Sequence, residues 1–236
     1  MELKAKQDLT AIREVVNQVL DTYQGQDRSM QRSQARAEIL IHSMGVFAQR
    51  GLHRTTVQHL LDAANISRRT FYKYFRNKVD VLENIYRIFV ENMILRFRDQ
   101  VSRSSTVRDI IRNTTDIYFD YHVSMGPVIR LMMEEARRSG SALAPYRENG
   151  QNLAVEILAS EIHRLIGKRF DPLVLRTLLW SLENYSIYLL SDGHFEDTEI
   201  RRCKRVMTGI AEAVILGEAE EALLGPEASP APTTDA

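Results

Sequence analysis

The sequence predicts an all-α fold: a small module of short helices followed by a larger helical body. Three observations carry this. Apolar residues recur at three- and four-residue spacing along nearly the whole chain, and no sustained period-two alternation marks a half-buried strand. Helix start signals fall in register with that pattern, as at Asn77, Thr106 and Asp171-Pro172. Of the 236 residues, 44% are hydrophobic, enough to bury a sizeable core. No apolar run approaches the roughly 20 residues of a membrane span, and no signal-peptide pattern opens the chain. The single cysteine, Cys203, excludes an intrachain disulfide and fits a reducing compartment. A cytoplasmic protein with no membrane partner is expected.

Taken in order, Leu9, Ile12, Val16, Val19, Leu20 and Tyr23 form a helical stripe, so an N-terminal extension (1–30) is expected to carry a short helix over 8–23. The small module follows over 31–80. Its first helix runs from about Arg32 to Arg50, where Gly51 stops it as a left-handed cap. A second opens at Thr55-Thr56 and ends near Ala64; Thr55 has capping-box spacing to Gln58, and Thr56 is the alternative cap. Asn65 tolerates the positive φ of a tight turn. Ser67 caps a third helix over 68–74. Asn77 caps a fourth, with Asp80 at its third position, running to about Gln100. In the body, 81–222, helices are expected from Thr106 to about Val123, from Pro127 to before Gly140, and from about Tyr146 to Ile166. Two more run from Asp171-Pro172 to Gly193 and from about Thr198 to Leu216. Residues 223–236, rich in Pro, Ala and Thr, read as a disordered tail.

The net charge of zero hides an asymmetry. Residues 28–80 hold ten Lys/Arg against three acids, +7, so the remainder is −7. That combination suggests a basic module that meets phosphates and an acidic body that does not. The stretch Thr55 to Lys78 sharpens the point. Two short helices joined at Ala64-Asn65-Ile66 share a core of Val57, Leu60, Leu61, Ile66, Phe71 and Phe75. This is the pattern of a helix-turn-helix, in which the first helix fixes the angle at which the second enters a major groove. The second helix would expose Arg68, Arg69, Thr70, Tyr72, Lys73 and Tyr74. Arginine can bond guanine bidentately and threonine can touch bases, while tyrosine and lysine suit phosphates. Thr55, Thr56 and Ser67 at the helix starts, and Lys78 in the first turn of the next helix, complete the candidate DNA contacts.

These residues carry a resemblance. Phe47-Ala48-Gln49-Arg50-Gly51, the Thr-Thr-Val helix start, Ile66-Ser67, Thr70-Phe71-Tyr72-Lys73-Tyr74-Phe75 and Asn77-Lys78 resemble the DNA-binding domain of TetR-family regulators. The resemblance covers about Arg36 to Leu82. It implies a homodimer that binds a palindromic operator on double-stranded DNA, usually to repress, and that lets go when a ligand enters the larger domain. Three positions depart from the family pattern: Asn65 where glycine is usual, Leu61 where alanine is frequent, and His59 where an acid is frequent.

In the body, Tyr118, His122, Met133, Trp180, Asn184 and Tyr188 are soft or polar-tipped residues on apolar helices. Ordinary core is the plain reading; a cavity for a hydrophobic or amphipathic effector is the functional one. Leu175, Leu178, Leu182 and Leu189 form one stripe, and Met207, Ile210 and Val214 another. Two such helices meeting their symmetry mates would bury both stripes in a four-helix dimer interface. The six histidines show no metal spacing, so no metal or cofactor is expected, and no nucleophile elbow points to an enzyme. The expected function is a ligand-responsive DNA-binding repressor; the alternative is a regulator of the same fold governed by a protein partner or by no small ligand.

Overall fold

The computed structural model describes residues 30–125, 127–191 and 196–217. The expected helix over 8–23, the residues around Gly193 and the tail over 223–236 lie outside the described residues. Those described form nine helices and no strand. They are α1 (Met30–Arg54), α2 (Val57–Ala64), α3 (Arg68–Tyr74), α4 (Lys78–Ser102), α5 (Val107–Met125), α6 (Pro127–Ala136), α7 (Ala144–Ile166), α8 (Pro172–Ser191) and α9 (Asp197–Leu216).

The helix starts follow from side-chain caps. Thr56, not Thr55, caps α2: its side chain accepts from the His59 N–H, and the His59 ring accepts in return from the Thr56 N–H. His59, out of pattern by residue type, therefore occupies the reciprocal position of a capping box. Ser67 caps α3 by accepting from the Thr70 N–H, and Asn77 caps α4 by accepting from Val79 and Asp80. Thr106 and Asp109 exchange backbone-to-side-chain bonds at the start of α5. Asn65 adopts φ 50°, ψ 49°, the left-handed conformation expected of it. Gly51 does break α1, but with φ 69°, ψ 171° it is not the expected left-handed cap; it lies in an extended region that glycine alone occupies readily.

Two apolar clusters fill the molecule. The first runs from Ala37 to Leu143, takes in Leu190 of α8, and includes Phe47, Leu60, Phe71, Leu82, Phe89 and Met132. The second joins Phe97 and Val101 to α5, α7, α8 and α9. The first cluster crosses residue 80, so the small module shares its core with the body. Helix α4 links the two clusters. Its 25 residues span about 37 Å, with Val81, Leu82 and Ile85 in the first cluster and Phe97 and Val101 in the second.

The α8 and α9 stripes meet a different fate from the one expected. Leu175, Leu182, Leu189 and Met207 are buried within the chain, with Leu178 and Val214 packed against them. The second cluster needs that apolar face to close over α5 and α7. Of the seven expected interface residues only Ile210 is exposed. The apolar residues left outside on these helices are Leu173, Trp180, Tyr185, Tyr188, Val206, Ile210 and Leu216.

Candidate functional site

The α2–α3 unit is assembled from its core outward. Phe71 is fully buried and packs against Phe75 at 5.9 Å between ring centroids. Removing such a buried ring costs about 3–5 kcal/mol, so the roll of α3 about its axis is firmly set. Arg69 and Lys73 each lie two residues from Phe71, roughly 200° round the helix. They are therefore aimed at solvent, and Tyr72 is exposed beside them. Arg68 is exposed as well, and its Nη2 donates to Gln58 Oε1 at 3.1 Å, tying α3 to α2. Arg69 makes no hydrogen bond or ion pair among the described residues. The side-chain contacts thus leave one basic, aromatic-bearing surface on α3.

The other candidates divide. Thr56 and Ser67 are exposed, and their hydroxyls are engaged as caps. The Thr70 hydroxyl lies 2.9 Å from that of Ser67. Tyr74 packs against the first cluster, with the Lys73 ammonium 5.5 Å from its ring centroid. Thr55 leaves the contact set: it is fully buried and donates to the Gly51 carbonyl at 2.6 Å, closing the turn after α1. Two adjacent threonines cannot both face outward at a helix start, and Thr56 takes the outer place. Lys78 donates to the carbonyls of Leu52, Thr55 and His53 at 2.8, 2.6 and 3.2 Å. All three of its N–H groups thus fasten the α1–α2 turn.

A second candidate site lies in the body. A largely apolar cavity of about 80 Å³, open in part, is lined by α4, α5, α6, α7 and α8. Of the six expected effector residues, Tyr118, His122 and Met133 line it; Trp180, Asn184 and Tyr188 do not. Those three point off the exposed side of α8, because Leu179 and Glu183 occupy the inward side. Trp180 retains an indirect link, its indole N–H donating at 2.9 Å to Gln151 Oε1, a residue of the cavity wall. Burial drives the His122 pKa down to about 4, the hydrogen bond to the Tyr118 carbonyl opposing it, so the imidazole is neutral. Burial likewise pushes the Tyr118 hydroxyl well above its usual range.

One polar group was not foreseen in the sequence. Glu183, buried on α8, accepts from Arg147 Nε and Nη2 at 2.9 and 3.0 Å, from Arg137 Nε at 3.0 Å, and from Gln151. Its partners sit far away in sequence. A usable signal existed: Glu183 lies four residues after Leu179 and three before Ser186, in register with a buried face, where an acid demands partners. Among the described residues no cluster of His, Cys, Asp and Glu could hold a metal ion, and no helix is long and apolar enough to cross a membrane.

Comparison with known proteins bears on the α2–α3 unit and on the fold. Residues 39–85 match the family model described as bacterial regulatory proteins, tetR family. The chain is 27% identical over 105 residues to the HTH-type transcriptional activator FasR of Mycolicibacterium smegmatis, covering 44% of this chain and 47% of that one. It is 26% identical over 106 residues to the HTH-type transcriptional repressor KstR2 of Mycobacterium tuberculosis, covering 45% and 53%. The chain thus spans about half the length of these curated relatives. In fold it is similar to the fatty acid degradation regulator FadR of Bacillus halodurans (TM-score 0.65, 18% identity, covering 78% of this chain and 97% of that one). It is also similar to the regulator FadR of Bacillus subtilis in complex with stearoyl-CoA (TM-score 0.64, 16% identity, covering 73% and 95%).

Proposed function

We propose that this chain, whose residues 39–85 match the model of the tetR family of bacterial regulatory proteins, is a sequence-specific transcriptional repressor of that kind, released from its operator by a small amphipathic effector. The carrying observation is the surface of α3. A helix locked by Phe71 presents Arg69, Tyr72 and Lys73 outward, with Arg68 braced on Gln58. Such a face fits a major groove, where Arg69 has its guanidinium uncommitted and can meet a guanine edge. Two copies would present two such helices about 34–36 Å apart, into successive grooves of a palindromic site. The partner copy would dock on the exposed apolar side of α8 and α9 around Tyr188, Val206 and Ile210.

The effector would occupy the apolar cavity. Helix α4 carries part of that cavity's wall, Phe89, Val90 and Met93 among it, and also part of the module's core, Leu82 and Ile85. An occupant that prefers one setting of α4 would shift the spacing of the paired recognition helices. Helix α6 offers a second link: Met133 lines the cavity, and Arg138, just beyond the helix, reaches His53 Nε2 at 2.9 Å beside the α1–α2 turn. The KstR2 likeness supports repression, the FasR likeness being the argument for activation, and the stearoyl-CoA in the similar FadR fold supports an amphipathic effector. The test is selection of an operator from random duplexes, then gel-shift titration at fixed salt. Arg69→Ala is expected to weaken operator binding by about 1–3 kcal/mol, the worth of a good bidentate base contact. Operator affinity unchanged by Arg69→Ala would overturn that contact, and no preference for any duplex would overturn the whole reading.

A further inference from the structure

Resting on the effector reading above, we propose that the cavity takes an amphiphile with an anionic oxygen head, a carboxylate or a phosphate ester, and that Arg147 is the residue that reads it. The cavity lining is mostly apolar, and its only charged side chains, Arg147 and Glu183, come together from α7 and α8 with Gln151 beside them. Arg137 joins them from just beyond α6, and its Nη2 also donates to Asn184 Oδ1 at 2.7 Å. The cluster therefore holds two guanidiniums and one buried carboxylate, a surplus of one positive charge.

The geometry directs that surplus toward the cavity. Glu183, 4% exposed in its side chain, grips the Nε and Nη2 edge of Arg147 and is filled further by Arg137 and Gln151. It has little capacity left for another donor, so a cationic or amide head finds no open acceptor there. Arg147 is in the opposite condition. Its Nη1 makes no bond among the described residues, and the residue lines the cavity. With Glu183 holding one edge of the planar guanidinium, the other edge is pre-oriented for an oxyanion. The imidazole of His122 and the hydroxyl of Tyr118, both neutral, add no opposing charge from α5.

The remaining lining suits a chain. Phe89, Val90, Met93, Ile129 and Met133 surround it. About 80 Å³ of room corresponds to roughly six water positions, which matches a chain of several carbons; a longer one requires the helices to part. That parting acts on α4.

The experiment uses the full chain and three matched probes below their micellar range: octanoate, octyl phosphate and octan-1-ol. Trp180 fluorescence reads occupancy through its bond to Gln151, and calorimetry checks it. At least one oxyanion probe is expected to bind about 10-fold or more tightly than the alcohol, the worth of hydrogen bonds to a charged group; the tighter of the two names the head. Arg147→Met is expected to abolish that preference, the oxyanion probes binding no more tightly than octan-1-ol to the variant. If Arg147→Met does not fold, Arg147→Lys serves, retaining charge but losing the fork, and the preference is expected to fall several-fold. Octan-1-ol binding as tightly as both acids overturns this proposal and leaves the effector cavity standing. Binding by none of the three overturns both.

Discussion

His122 is 3% exposed, its ring stacks at 4.3 Å on Tyr118, and its Nδ1 lies 2.6 Å from the Tyr118 carbonyl oxygen. A contact that short requires Nδ1–H to donate. Protonating the second nitrogen would place a charge in an apolar wall, which is why its pKa falls to about 4 from an ordinary 6.5. The sign of the linkage follows. A group depressed in the folded state is fully stabilising above pH 6.5, where both states are neutral. Between pH 6.5 and 4 the unfolded chain binds the extra proton, so stability falls as pH falls. The full loss is about 3 kcal/mol, from 1.36 kcal/mol per pKa unit. His122→Gln is expected to flatten the pH dependence of denaturant-unfolding free energy across that window. An undiminished slope in the variant would assign the acid sensitivity elsewhere. His122 was legible in the sequence as a polar-tipped residue on an apolar helix; the Glu183 cluster was not, because its four members come from three separate regions of chain and only folding joins them.

Helix starts were the most legible elements, because a cap is a local bond between residues two or three apart. Ser67, Asn77 and Thr106 could be read directly. The choice between Thr55 and Thr56 was not local: burial of Thr55 against the Gly51 carbonyl decides it. Lys78 shows the same limit. As a cation at a helix start inside a basic module it invited a phosphate, yet its ammonium spans 23 to 26 residues back to three carbonyls of the α1–α2 turn. Two outcomes separate these roles. A phosphate-contacting lysine, once removed, lowers the salt slope of DNA binding by about one and leaves folding intact. The observed bonds predict instead that Lys78→Met lowers unfolding free energy by about 2–3 kcal/mol through stranded carbonyls. Thermal denaturation beside a salt titration of DNA binding distinguishes the two.

At the scale of the whole molecule, periodicity identifies which helices are amphipathic but not what lies against them. The α8 stripe of Leu175, Leu182 and Leu189 satisfies an intrachain core and a symmetric interface equally well as a pattern. Only the packing of α5 and α7 against it decides for the core. Left over on the outside are Tyr188 at 63% and Ile210 at 45% exposure, large apolar groups on adjoining helices, of the kind that mark an interaction surface when they cluster. The two faces predict opposite phenotypes. Leu182→Ala empties a core site and is expected to cost about 2–5 kcal/mol of fold stability, with the self-association of the folded fraction unchanged. Ile210→Asp lies outside the core, so the fold should survive. A charge in the centre of a dimer interface is expected to weaken association by about 2 kcal/mol or more, roughly 30-fold. Sedimentation equilibrium paired with circular dichroism reads both quantities. A folded Ile210→Asp that associates as tightly as the parent chain would remove this face from the dimer. Because a monomer presents only one recognition helix, the same variant should lose most of its affinity for a palindrome while keeping its non-specific, salt-sensitive binding to DNA.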